Sequence, residues 1–205
     1  CHSSRHQLAY QQTPDEFRAD FCAARDAISD ATGVAVDTYR IPGFSLTQES
    51  IWALDILGEE GVEVDCSVFP AVRGHGGLPQ FTSAEPCVVR TEQGRTLKEL
   101  PLNTRSILGN KLVFSGGGYF RLFPYWLLKK LFADSEYVMT YFHPRDFDAD
   151  QPMIPNLSVS RRFKSYVGLK GAEAKLVKLL SDFEFVDVRT AVSQVDWDNA
   201  PVVHV

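Results

Sequence analysis

His2 and His6 stand four positions apart in Cys1-His2-Ser3-Ser4-Arg5-His6, and two imidazoles at that spacing point the same way from one helical turn. Neutral imidazole is the commonest metal-binding side chain, and it places a nitrogen about 2 Å from zinc, so the pair suits one shared ion. Other residues able to do chemistry follow at the ends of predicted strands. They are Arg40 before Ile41-Pro42, Asp65 before Cys66-Ser67, the run Gly116-Gly117-Gly118-Tyr119-Phe120-Arg121, and His143 before Pro144. In parallel α/β barrels the reacting groups gather at the carboxyl ends of strands, and four polar residues at matching positions, Arg40, Asp65, Ser67 and His143, point to a shared site. Each also has an ordinary reading: Arg40 as a rim cation, Asp65 as a turn former, His143 as a satisfied histidine, and the glycines as a flexible connection.

The elements that must position these residues are legible in outline. Thr13 caps a helix that has Pro14 in its first turn, and Glu16 closes a capping box. Phe17, Phe21, Ala24 and Ile28 line one face of it, and Gly33 ends it. Val34 to Arg40 reads as a strand. The pattern then repeats with Thr47 as a cap, Ile51, Leu54 and Leu57 as the apolar face, Gly61 as the stop and a strand over 62–65. Two helix-Gly-strand units in succession imply a parallel sheet with crossover helices. Residues 67–95 form a long Gly- and Pro-rich loop, with a short hairpin around Cys87 to Arg90. Strands are expected over 97–102 and 112–114, and a helix over 122–132. Glu136 to Phe142 reads as the strongest strand, buried on both faces. An irregular stretch from Pro144 to Lys170, a helix on Ala172, Leu176, Leu179 and Leu180, and a last strand over 183–188 complete the chain.

The bounds agree with such a domain. The chain has 205 residues, of which 44% are hydrophobic and 12% aromatic, enough for one full core over 1–205. Twenty-one basic and 26 acidic residues give a net charge of −5 with mixed signs, which argues against nucleic acid as a partner. No apolar run approaches the roughly 20 residues of a membrane span. Cys1, Cys22, Cys66 and Cys87 form no CxxC pair, so free thiols in a reducing compartment are expected.

Taken together, the motifs resemble those of NodB-like polysaccharide deacetylases. His2-Ser3-x-x-His6 resembles the metal motif of that family, and Tyr39-Arg40-Ile41-Pro42-Gly43-Phe44-Ser45 its Arg-x-Pro motif. Trp52-Ala53-Leu54-Asp55, Asp65-x-Ser67-x-Phe69-Pro70, Gly116 to Arg121 and Tyr141-Phe142-His143-Pro144 are similar to motifs of a bacterial subgroup associated with exopolysaccharide and O-antigen clusters. The resemblance implies an α/β fold, a distorted (β/α)7-type barrel lacking its first strand and helix in this chain, because the Asp-Asp motif that should precede His2 is missing. It implies a bacterial, cytoplasmic hydrolase that removes N-acetyl groups from an amino-sugar polysaccharide or oligosaccharide with a divalent metal, most readily zinc. In that reading His2 and His6 hold the metal, Arg40 orients the base, and His143 protonates the departing amine. Asp65 pairs with Arg40 or fixes the tautomer of His143. A backbone N–H near Gly43 or Phe44 helps hold the oxyanion, and Tyr119, Arg121 and His75 grip the sugar. A chain without the Asp-Asp strand is expected to be weakly active or inactive. Two other classes stay open: a non-catalytic carbohydrate-binding protein and a metal-dependent hydrolase of small amides.

Overall fold

The computed structural model describes residues 1–74, 76–107 and 110–205, so His75 lies outside the described residues. In chain order the elements are α1 (Pro14–Thr32), β1 (Thr38–Tyr39), α2 (Trp52–Glu59), β2 (Val64–Asp65), β3 (Cys87–Arg90), β4 (Thr96–Glu99), β5 (Arg105–Ile107) and β6 (Asn110–Leu112). They are followed by α3 (Gly117–Leu122), α4 (Tyr125–Ala133), α5 (Val159–Tyr166), α6 (Ala172–Asp182), α7 (Val188–Gln194) and β7 (Val202–His204). The chain divides into two compact units, one of residues 1–104 with 195–205, the other of residues 105–194. No helix among the described residues is long and apolar enough to cross a membrane.

The first unit is built on a five-stranded mixed sheet of order β1-β2-β4-β3-β7. β1, β2 and β4 run parallel, β3 is antiparallel to β4, and β7 is parallel to β3. This is an α/β arrangement, and the strands joined here form an open order. The parallel pairing of β1 with β2 follows from the repeated helix-Gly-strand units. α1 starts where its sequence dictates: Thr13 Oγ1 accepts from Glu16 N–H, and the Glu16 carboxylate accepts from Thr13 N–H at 2.8 Å. It stops at Gly33, whose φ of +69° is left-handed and whose N–H reaches the Ser29 carbonyl. The face of Phe17 and Phe21 is buried against Tyr39, with edge-on ring contacts at 6.1 and 5.2 Å. Leu54 and Leu57 of α2 and Val89 and Leu97 of the sheet complete that core. At its rim Arg18 of α1 bridges Glu59 and Glu60 of α2, and Arg25 joins Glu60 at 2.8 Å.

The second unit has its own core of Phe114, Phe120, Leu128, Phe132 and Leu179. The helix expected over 122–132 is α4, which starts at Tyr125 because Pro124 lacks the N–H to continue the preceding α3. Glu136 to Phe142 departs furthest from expectation. It is half-exposed, and its ladder is an isolated parallel bridge from Tyr141 to Gly116. β-rich composition measures fit to a packed surface as much as to a ladder, and Val138 and Phe142 here pack against the second unit's core. The predicted strand over 183–188 runs instead into α7, and the stretch expected to be irregular contains α5, capped by Ser158 Oγ. β7 was unforeseen: three residues complete the sheet beside β3.

Gly116 explains the bridge. A Cβ at this position would lie 2.0 Å from the Tyr141 carbonyl oxygen, whereas one at Gly118 would meet nothing closer than 3.8 Å. Gly116→Ala should therefore destabilise the protein by about 2 kcal/mol or more. Gly118→Ala should be tolerated. Denaturant titration followed by circular dichroism compares the two, and equal midpoints would refute the packing argument.

Candidate active site

The residues around the two histidines are arranged from the first unit alone. Residues 2–6 do not form the expected helical turn. Ser3 and His6 instead take positive φ, +71° and +56°, and a single carboxylate pins the bend. Asp20, buried on α1, accepts from Ser3 Oγ at 2.5 Å, from Arg5 N–H at 2.9 Å and from Ser4 N–H at 3.2 Å, while Ser3 Oγ accepts from His6 N–H at 2.9 Å. Hydrogen bonds to a carboxylate stabilise by roughly 1.5–3 kcal/mol each, enough to hold two residues in left-handed conformations. The loop thus brings the rings together by a route other than helical spacing, with their centroids 5.0 Å apart and edge to face.

That separation fits a shared ion. Two imidazoles bound at about 2 Å and a tetrahedral angle have centroids about 5 Å apart. The tautomer fits as well. His2 Nδ1 lies 2.7 Å from the Arg40 carbonyl oxygen, which can only accept, so Nδ1 carries the proton and Nε2 keeps its lone pair. Desolvation lowers the pKa of His2 more than this bond raises it, and the neighbouring His6 lowers it further, so the ring stays neutral near pH 7. A third ligand is not supplied alongside: among the described residues no group of three or more His, Cys, Asp or Glu could hold a metal.

Arg40 lies half-buried, with Nε donating to the Cys66 carbonyl at 3.2 Å and its guanidinium over the Phe44 ring at 5.4 Å. Its N–H bonds the Cys1 carbonyl at 3.0 Å, tying the histidine loop to β1. Residues 42–44 form a single 3₁₀ turn in which Gly43 has φ +63° and Phe44 +50°. The left-handed φ of Gly43 favours glycine, while a Cβ there would lie 2.9 Å from Leu8 Cδ2, the tip of a side chain that can shift. Phe44 corrects its expected role. Its ring is buried against Phe69, and its N–H already donates to the Ile41 carbonyl.

Asp65, expected to pair with Arg40 or to fix the tautomer of His143, is wholly enclosed. It accepts from Ser67 Oγ at 2.5 Å and from Ser67 N–H at 3.2 Å. Directly across the parallel β2–β4 pair sits Glu99, equally inaccessible, whose Oε1 accepts from Val68 N–H at 3.1 Å. Burial raises the pKa of both, that of Glu99 well above the ordinary range because the Asp65 charge adds to desolvation. Glu99 therefore carries the proton and donates to the Asp65 carboxylate. Burial pushes the Cys66 thiol up to about 12, which keeps it neutral.

Three residues escaped the sequence reading: Asp20, Glu99 and Arg73. Arg73 places its guanidinium 5.5 Å from the Phe44 centroid and 5.2 Å from that of Phe69. Asp20 is masked by its position on a helix face, and Arg73 by a loop without periodicity. Glu99 ends an alternating strand, the same position that singled out Asp65.

Tyr119, Arg121 and His143 belong to the second unit. Tyr119 is exposed, with its ring 5.6 Å from Phe123. Arg121, expected at a sugar, is buried. It donates to the carbonyls of Lys164, Ser165 and Val167, and its Nε lies 3.3 Å from Asp146 Oδ1. His143 is exposed before its proline turn; its N–H donates to Asp146 Oδ2 at 3.0 Å and its Nδ1 lies 3.6 Å from the same oxygen.

The raised carboxyl pKa values fix a sign. A buried acid that binds its proton more tightly when folded contributes fully below its unfolded value, near 4.5 for Glu99, and that contribution is lost as pH rises toward the folded value. Unfolding free energy should therefore decline with pH more steeply in the wild type than in Glu99→Gln, by up to about 1.4 kcal/mol per pH unit. Urea titrations from pH 4.5 to 8 measure both slopes, and parallel curves would show that Glu99 is ionised.

The family described as "Domain of unknown function (DUF3473)" matches residues 66–193, and such domains occur in polysaccharide deacetylase-like proteins. Among solved structures, the chain is similar to that of a provisionally named polysaccharide deacetylase from Mycobacterium smegmatis, at 16% identity and a TM-score of 0.49. The alignment takes in 96% of this chain but 57% of that one, so the chain spans little more than half of the protein it matches. Among curated proteins none matches.

Proposed function

We propose, for a chain that belongs to the DUF3473 family, hydrolytic removal of N-acetyl groups from amino sugars of a bacterial surface polysaccharide, of the exopolysaccharide or O-antigen kind, in the cytoplasm. The observation that carries this reading is the histidine pair. Two rings sit at the spacing of a shared ion, and one has its tautomer fixed by a carbonyl. His2 and His6 would hold a divalent metal, zinc by preference, within the distorted barrel that the motifs imply. Bound there, zinc supplies Lewis acidity toward an amide carbonyl and lowers the pKa of water to about 7.

The chain's own residues have the remaining roles. His2 offers Nε2 because Nδ1–H is engaged, so it binds as the neutral ring. The Arg40 guanidinium, held by the Cys66 carbonyl and the Phe44 face, orients the carboxylate that serves as base. A backbone N–H at the sharp turn of Gly43 would help hold the developing oxyanion. Within the second unit, His143 is an exposed imidazole able to deliver a proton, and Tyr119 an exposed ring able to meet a sugar face.

The test is acetate release from N-acetylated oligosaccharides by the full-length protein, with metal content measured in parallel. His2→Ala and His6→Ala should each lose both metal and activity. Equal metal content in all three proteins would sink the reading. Arg40→Lys should fold and keep its metal, yet lose activity by roughly 10²-fold, since a point-like ammonium cannot reproduce the planar fork. Turnover equal to wild type would remove Arg40 from the site.

A further inference from the structure

Four hydrogen-bonded groups connect the sheet interior to His2. Glu99 faces Asp65 across β2 and β4, and Ser67 Oγ donates to Asp65 Oδ1 at 2.5 Å. The same Oγ accepts from Ile41 N–H at 2.8 Å. That N–H belongs to the peptide unit whose carbonyl, on Arg40, accepts from His2 Nδ1 at 2.7 Å. The groups from Asp65 to Ile41 are buried, where hydrogen bonds polarise one another.

We propose that the buried Asp65–Glu99 pair positions His2 from a distance, acting through Ser67 and the 40–41 peptide to fix the imidazole as its Nδ1–H tautomer. The direction of polarisation is determined at each link. A negative charge on Asp65 draws the Ser67 hydroxyl proton, which makes Oγ a stronger acceptor for Ile41 N–H. Polarising that peptide makes the Arg40 oxygen a stronger acceptor for His2 Nδ1–H, and Nε2 becomes the more electron-rich nitrogen. Glu99, neutral and hydrogen-bonded, holds the charge on Asp65 and carries none itself. Asp65 and Glu99 are thus positioning residues; neither has an exposed atom to offer a substrate. The chain of bonds stands by itself, while its consequence for a metal rests on the ligand role proposed for His2.

Long-range proton–nitrogen NMR of the metal-free protein reads the His2 tautomer directly. Asp65→Asn keeps shape but removes the charge, and Ser67→Ala breaks the chain in the middle. Both should lower the Nδ1–H share and weaken zinc binding by about tenfold, the low end for partners that orient metal-binding histidines. Glu99→Gln, still a neutral donor to Asp65, should leave both unchanged. An unmoved tautomer in Asp65→Asn overturns the proposal, and this isosteric variant decides the matter if Ser67→Ala fails to fold. A shift in Glu99→Gln as large as that in Asp65→Asn would overturn the placement of the charge. Should the tautomer shift as expected while His2→Ala binds zinc like wild type, the positioning stands and the ligand assignment falls.

Discussion

The peptide unit between Arg40 and Ile41 is hydrogen-bonded on both sides, to Ser67 through its N–H and to His2 through its carbonyl, and the first unit's site depends on that one plane. Backbone groups at the end of a short strand ordinarily lose their ladder partners and must find others. Here the partners are side chains. Ser67 follows β2, the neighbour of β1, so the strand pairing that sets the register of Tyr39 with Asp65 also brings the hydroxyl under Ile41. His2 closes the other side, and the Cys1 carbonyl accepts from Arg40 N–H one residue earlier. The N-terminal segment is thereby joined to the sheet without being a strand of it.

Holding such a segment in place requires overcoming the entropy of about 1–2 kcal/mol per ordered residue. Asp20 is the compensating group. It gathers three donors from consecutive residues, and its own burial beside the Phe17–Phe21 face makes an unbonded state costly. The loop is tied directly to α1, because its anchor sits on that helix. α1 in turn is fixed by its capping box, by the Tyr39 ring contacts and by the arginine–glutamate bridges to α2.

The legible parts of the sequence were those where one local signal decides the structure. Thr13, Pro14 and Glu16 specify a helix start from neighbouring atoms alone, and Gly33 and Gly61 take left-handed backbone that other residues resist. Of the apolar face from Phe17 to Ile28, Phe17, Phe21 and Ala24 are buried and Ile28, near the helix end, is exposed. What was missed depends on distant partners. Glu136 to Phe142 has the composition of a central strand, and among the described residues it is bridged to Gly116 at Tyr141. β7 is short, three residues long, and is a strand because β3 offers an edge. The histidines were singled out by a spacing that their backbone does not use, since Asp20, 14 residues beyond His6, sets the bend. Glu99 could have been found by the strand-end argument applied to Asp65. The pairing of the two acids could not, because register is a property of the folded sheet.

Burial divides the motif residues of the second unit by role. Arg121 is enclosed, its guanidinium distributed over three carbonyls at the end of α5 and the Asp146 carboxylate, an arrangement that satisfies a buried cation through hydrogen bonds and charge together. Gly168 confirms how closely the chain is drawn around it: a Cβ there would lie 2.3 Å from the Arg121 carbonyl oxygen. Lys175 Nζ donates to that same oxygen and to the Phe123 carbonyl, both at 2.6 Å, so the turn after α3 is held by cations on both sides. Asp146 in turn caps the His143 N–H, which fixes the backbone of the proline turn while the imidazole remains exposed. The run from Gly116 to Arg121 therefore works as a frame. Its buried arginine and glycines fix the backbone, and Tyr119 and His143 are the side chains left with surface to meet a ligand.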